Sequence, residues 1–105
     1  VGDICNSTIP NESYNTIFCT DTLEHIAYPI KAVAEMGRIL KPNGFLVLVS
    51  VMQWVEHKHP KDYWRFLPDS YELMFKDAGL QLLTIELENA GESDHGIHIY
   101  GLARK

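Results

Sequence analysis

A chain of 105 residues, 46% hydrophobic and 22% charged, is sized and composed for one domain with a modest core. Its net charge of −5 excludes a protein held on nucleic-acid backbones by clustered Lys and Arg. No apolar run approaches the roughly 20 residues that span a bilayer, and no secretory signal opens the chain.

The first residue is Val rather than Met, as expected of a fragment. Gly2-Asp3-Ile4-Cys5 reads as a short extended segment, and Ile9-Pro10-Asn11-Glu12-Ser13 as a polar loop. Thr16-Ile17-Phe18-Cys19 is a β-type run that ends in Thr20-Asp21. Cys5 and Cys19 have no CxxC partner, which points to reduced, partly buried thiols and a cytoplasmic compartment.

A helix is predicted over 29–40. Pro29 suits its first turn, and Ile26, Ile30, Val33, Gly37 and Leu40 form one apolar stripe. Lys41-Pro42-Asn43-Gly44 ends it, with turn chemistry at Asn43-Gly44. Residues 45–51, FLVLVSV, do not alternate, as suits a parallel strand buried on both faces. After an irregular stretch rich in His, Trp and Tyr, a second helix is predicted over 69–78. Asp69 and Glu72 have capping-box spacing, Tyr71, Met74, Phe75 and Ala78 make the buried face, and Gly79 follows as a left-handed stop. Leu83, Ile85 and Leu87 alternate with polar residues as a half-buried strand. A polar loop over 89–96 leads to a last strand over 97–103, antiparallel to its predecessor.

The element order is β-α-β-α-β-β, an α/β mixed sheet of four strands in spatial order first, second, fourth, third, with both helices on one face. Residues 14–50, YNTIFCTDTLEHIAYPIKAVAEMGRILKPNGFLVLVS, resemble the later half of class I S-adenosylmethionine-dependent methyltransferases of the small-molecule type. The most specific residues are Leu23-Glu24-His25, followed at the proper distance by Arg38-Ile39-Leu40-Lys41-Pro42-Asn43-Gly44, where Asn43 replaces the family's usual Gly. The resemblance runs from Gly2-Asp3 to Lys105 and implies a partial Rossmann-like fold, one domain over 1–105 matching the C-terminal half of a methyltransferase domain.

That resemblance implies roles. Asp3 would accept from the adenine amino group, with Ile4 over the ring. Cys19, Thr20 and Asp21 would lie along the cofactor, with Leu23 and His25 near its sulfonium end. Asp-Tyr-Trp-Arg-Phe, ahead of Pro68, resembles an acceptor-pocket loop in a subset of these enzymes. Tyr63 and Trp64 would wall the acceptor there, and Arg65 would bind a carboxylate or phosphate unless it holds backbone carbonyls instead. The sequence names no obligatory catalytic group. Asp21, His25, His57 and His59 are the candidate bases should the acceptor be a hydroxyl. Glu24 on its own reads as a solvated turn carboxylate, and His25 as a packing histidine.

His57-x-His59 and His95-x-x-His98 are too loosely related to predict a metal site, and Cys19 lacks the setting of a nucleophile. The family's glycine-rich cofactor loop and ribose-gripping acid are absent from these residues. The expectation is therefore a methyltransferase segment, truncated and inactive alone, that needs a missing N-terminal half or a second copy in a homodimer. The alternative is a noncatalytic, self-associating half-domain, and a small metal-binding protein is a third reading.

Overall fold

The computed structural model describes residues 4–58, 61–89 and 96–105, with Asn6 described by its backbone alone. Its regular elements are β1 (Tyr14–Thr20), α1 (Pro29–Ile39), β2 (Leu40–Gln53), α2 (Pro68–Asp77), β3 (Gln81–Asn89) and β4 (Ile97–Arg104). Short 3₁₀ turns occupy Ile4–Asn6 and Leu23–His25. The first replaces the extended segment expected there. No helix among the described residues is long and apolar enough to cross a membrane.

The strands lie in the order β1-β2-β4-β3, as expected. β1 and β2 are parallel, joined through α1, and β4 runs antiparallel to both of its neighbours. Register fixes one face: Ile17 pairs with Leu46 and Cys19 with Leu48. Leu46, Leu48 and Ser50 pair in turn with Ala103, Gly101 and Ile99. Against these residues pack Ala32, Val33 and Met36 of α1 with Tyr71, Met74 and Phe75 of α2. Gly101 is small because the α2 rings occupy its space: a Cβ there would lie 2.7 Å from Tyr71 and 2.9 Å from Phe75. The Tyr71 hydroxyl donates to Ile99 O at 3.1 Å, and its burial raises its pKa far above the usual phenol range.

The helices meet at Gly37. A Cβ on Gly37 would stand 2.7 Å from the Ala78 carbonyl oxygen, a backbone atom that cannot swing aside. Gly37→Val should therefore force the helices apart and destabilise the fold by about 2–3 kcal/mol. A denaturant midpoint unchanged by that substitution would contradict the packing described.

Three expectations about burial shift. In α1 the buried stripe is Ala32, Val33, Met36, Gly37 and Ile39, while Ile30 is 47% exposed. The helix is rotated from the predicted stripe because α2, as well as the sheet, claims its surface. In β3 a bulge between Leu82 and Thr84 turns Leu82 and Ile85 onto the core and leaves Leu83 and Leu87 exposed. In β2 the face toward the helices is sealed, but on the other face Phe45 is exposed and Val47 half-buried. Phe18, the register partner of Val47, is 71% exposed. The second face of the strand is thus buried at Val49 and Val51 but open toward Phe45, where it is apolar without being covered.

Local stops mostly follow the sequence. Pro29 is the first residue of α1, Asn43 adopts φ 67, and Gly79 adopts φ 73 after α2. α2 begins at Pro68, but its first turn is not held by the expected capping box. The Ser70 hydroxyl, not an Asp69–Glu72 pair, accepts from Leu67 N–H at 3.1 Å.

Candidate functional site

β1 ends at the carboxyl edge of the parallel pair, where Asp21 N–H donates to Val49 O at 2.9 Å. Asp21 then turns sharply, at φ 51, in the left-handed region that Asp tolerates better than most residues. Thr22 Oγ1 donates to Thr20 O at 2.8 Å, and the chain winds into the Leu23–His25 turn. The turn buries Leu23 completely and leaves Glu24 only 1% exposed.

The stretch between β2 and α2 folds back onto this turn. Tyr63 N–H and Trp64 N–H both donate to Glu24 O, at 2.8 and 3.2 Å, and Phe66 N–H donates to Val51 O. Asp62 and Arg65 hold the stretch in shape. Arg65 Nη1 and Nη2 donate to the two Asp62 oxygens at 2.7 and 2.8 Å, and His57 N–H donates to Asp62 Oδ2 at 2.8 Å. The Arg65 bonds, aided by the His57 N–H, hold the Asp62 carboxyl well below the usual carboxylate range despite its burial.

This fold-back brings His57 to His25. Their Nε2 atoms are 3.0 Å apart, and Glu24 Oε2 lies 3.8 Å from that of His25 and 3.6 Å from that of His57. Glu24 Oε1 accepts from the buried Ser50 hydroxyl at 2.7 Å. His25 Nδ1 meets Lys61 O at 2.6 Å, and His57 Nδ1 meets Val55 O and Asp62 Oδ2, each at 3.3 Å. Glu24 is therefore no solvated turn carboxylate. One sequence signal points to this group: Ser50 is the lone polar residue in the apolar run 45–51, and a buried hydroxyl needs a partner.

The other predicted site residues are scattered. Thr20 and Asp21 are exposed at the end of β1, with Asp21 Oδ1 3.4 Å from His98 Nε2. Ile4 is half-buried against the core. Cys19 and Leu23 lie inside, so they form a floor under the turn rather than a surface on it. Burial, reinforced by the Glu24 charge, pushes the Cys19 thiol up to about 11, so at neutral pH it stays protonated and is no nucleophile. Cys5 and Cys19 are both buried and unbridged. Asp3, His59 and His95 lie outside the described residues.

Of the two readings of Arg65, the one in which it holds backbone carbonyls fits the structure, and the anion-binding one does not. Besides Asp62, Arg65 donates to Trp54 O, Val55 O and Trp64 O, at 2.8 to 3.3 Å. Every N–H of the guanidinium faces an internal acceptor, leaving none for an acceptor's carboxylate or phosphate. Tyr63 and Trp64 are half-exposed, as a pocket wall would be. Trp64 opens on an apolar groove of 580 Å³ between α1 and α2, shared with Tyr28, Ile30, Leu73 and Met74.

Comparison with known proteins bears on the fold. A family model described as a methyltransferase domain matches residues 1–48. A ubiquinone biosynthesis O-methyltransferase of Burkholderia pseudomallei is 28% identical over 91 residues, covering 70% of this chain and 39% of the relative. The chain thus spans well under half the length of that curated relative. A methyltransferase-like crystal structure from Bacillus halodurans superposes with a TM-score of 0.82 at 15% identity, over 98% of this chain and 69% of the other. The 1,6-didemethyltoxoflavin-N1-methyltransferase of Burkholderia thailandensis, solved with S-adenosylhomocysteine, superposes with a TM-score of 0.75 at 12% identity, over 97% and 48%. At such identities the superpositions speak for the fold alone.

Proposed function

We propose that this chain belongs to the class I methyltransferase family and supplies the acceptor side of an S-adenosylmethionine-dependent methyl transfer to a small molecule. The observation that carries the reading is the turn after β1. At the carboxyl edge of a parallel strand pair, where open α/β sheets bind ligands, it sets exposed Thr20 and Asp21 beside the Glu24–His25–His57 cluster.

Thr20 and Asp21 fit the cofactor as polar contacts at an open edge, with Cys19 and Leu23 as the floor beneath them. The cofactor, when bound, supplies a methyl group already activated on sulfonium. What remains for the protein is to align the acceptor, exclude water and handle the acceptor's proton. Tyr63 supplies an aromatic wall beside the turn, and the imidazole pair is the group placed to help an oxygen acceptor shed its proton. The glycine-rich loop and the ribose-gripping acid belong to the rest of the methyltransferase domain, whichever polypeptide carries it. Each charge-assisted bond so lost contributes about 1.5–3 kcal/mol, so these 105 residues bind cofactor weakly on their own.

A thermal melt tests the proposal. S-adenosylhomocysteine should leave the midpoint unchanged at micromolar concentration. It should raise it by about 4–8 °C once the ligand exceeds its Kd about fivefold, in the millimolar range. Asp21→Ala should remove the rise. No rise at any concentration contradicts the site, and a saturable rise at micromolar ligand contradicts the need for a second segment.

A further inference from the structure

We propose that Glu24, His25 and His57 form a binding site for a divalent cation of the zinc class. The neighbours of each ring fix where its proton sits. Lys61 O is a carbonyl and only accepts, so the His25 Nδ1 facing it at 2.6 Å carries the hydrogen. His57 Nδ1 faces a carbonyl, Val55 O, and a carboxylate, Asp62 Oδ2, both acceptors, so it too carries a hydrogen. In neutral rings each Nε2 is then a lone pair. The structure sets these two nitrogens 3.0 Å apart, on rings nearly perpendicular to each other, with Glu24 Oε2 beside them. Such an arrangement calls for a positive centre among the three atoms.

A metal ion suits the place better than a shared proton, for two reasons. The surroundings are those of ligating histidines, whose second nitrogen donates to a carbonyl or carboxylate and so fixes the tautomer and ring orientation. Glu24 is oriented likewise, through Ser50. The spacing also fits. A zinc ion lies about 2.0–2.2 Å from nitrogen and carboxylate donors, which corresponds to donor separations of roughly 3–3.5 Å. The separations here are 3.0, 3.6 and 3.8 Å, which small side-chain movements would bring into line.

Among the described residues the set is two imidazoles and one carboxylate, the ligand combination of catalytic zinc sites. The His25 and His57 side chains are partly exposed, so an ion held there is within reach of a ligand from solvent. An acceptor hydroxyl bound there would lose its proton at lower pH than in water. That last step rests on the methyl-transfer reading. The metal affinity does not.

The experiment is a titration of the chain at neutral pH with Zn²⁺ by calorimetry and with Co²⁺ by visible absorption, with Mg²⁺ as the hard-cation comparison. One equivalent of Zn²⁺ should bind with micromolar or tighter Kd. Cobalt should give d–d bands without thiolate charge transfer, and Mg²⁺ should bind far more weakly. His57→Ala and Glu24→Gln should each weaken binding by about 100-fold or more, since even an outer-sphere partner is worth 10–100-fold. His98→Ala should leave it unchanged. His57→Gln serves if the alanine variant loses its circular dichroism. No uptake at submillimolar Zn²⁺, a thiolate signature, or affinity indifferent to His57 and Glu24 would each overturn the site. Binding intact without any S-adenosylhomocysteine response would retain the metal site and sink only the methyl-transfer reading.

Discussion

Asp62→Ala should destabilise the fold by about 2–3 kcal/mol at neutral pH, more than removal of any exposed carboxylate. The carboxylate is 1% exposed and takes three hydrogen bonds, two from Arg65 and one from His57 N–H. Its loss leaves a partly buried guanidinium with only carbonyls to face, and it frees the stretch that carries His57 to His25. The effect has a pH signature of definite sign. Asp62 has a lowered pKa in the folded state, so the unfolded chain binds its proton more readily. The stabilisation is complete above the ordinary Asp value near 4 and drains away as pH falls below it toward the depressed folded value. Urea melts at descending pH should show the wild-type chain losing more stability than Asp62→Ala over that window. Parallel losses would contradict the assigned role.

The second large effect is on association. Phe18 is 71% and Phe45 38% exposed, on the sheet face away from both helices. Val47, Tyr100 and Leu102 extend that apolar surface between them. β1 is also an edge strand and carries no charged residue, whereas the opposite edge, β3, is guarded by Glu86 and Glu88. An apolar face joined to an unguarded edge favours pairing with another chain. We expect light scattering to give these 105 residues at micromolar concentration a mass of at least twice 12.0 kDa. Phe18→Lys with Phe45→Glu should restore the monomer. A wild-type monomer would mean that the face tolerates water, and would remove the reason for expecting a second half or a second copy to cover it.

The features legible in the sequence were those set by local chemistry. Pro29 and Gly79 mark helix ends because φ is fixed in one and free in the other, and the strand order followed from the handedness of crossovers. What the sequence hid was set by side chains meeting across the fold. The bulge at Leu82–Thr84 depends on β4, and the rotation of α1 depends on α2. The sequence leaves Arg65 open between binding an anion and holding backbone carbonyls, and the i,i+3 spacing of Asp62 on a tight turn is the clue that favours the internal role. The histidine pairs at His57 and His98 were judged by spacing along the chain. The true neighbour of His57 is His25, 32 residues away, brought close by backbone bonds to Glu24 O that no motif encodes.

Binding of the methyl-donor cofactor at the turn after β1 is tested most directly by a residue-resolved NMR titration with S-adenosylhomocysteine. The amides of Thr20, Asp21, Thr22 and His25 should shift together along one millimolar isotherm, while those of β3 stay still. Shifts confined to the groove between α1 and α2, or none at all around Asp21, would contradict it.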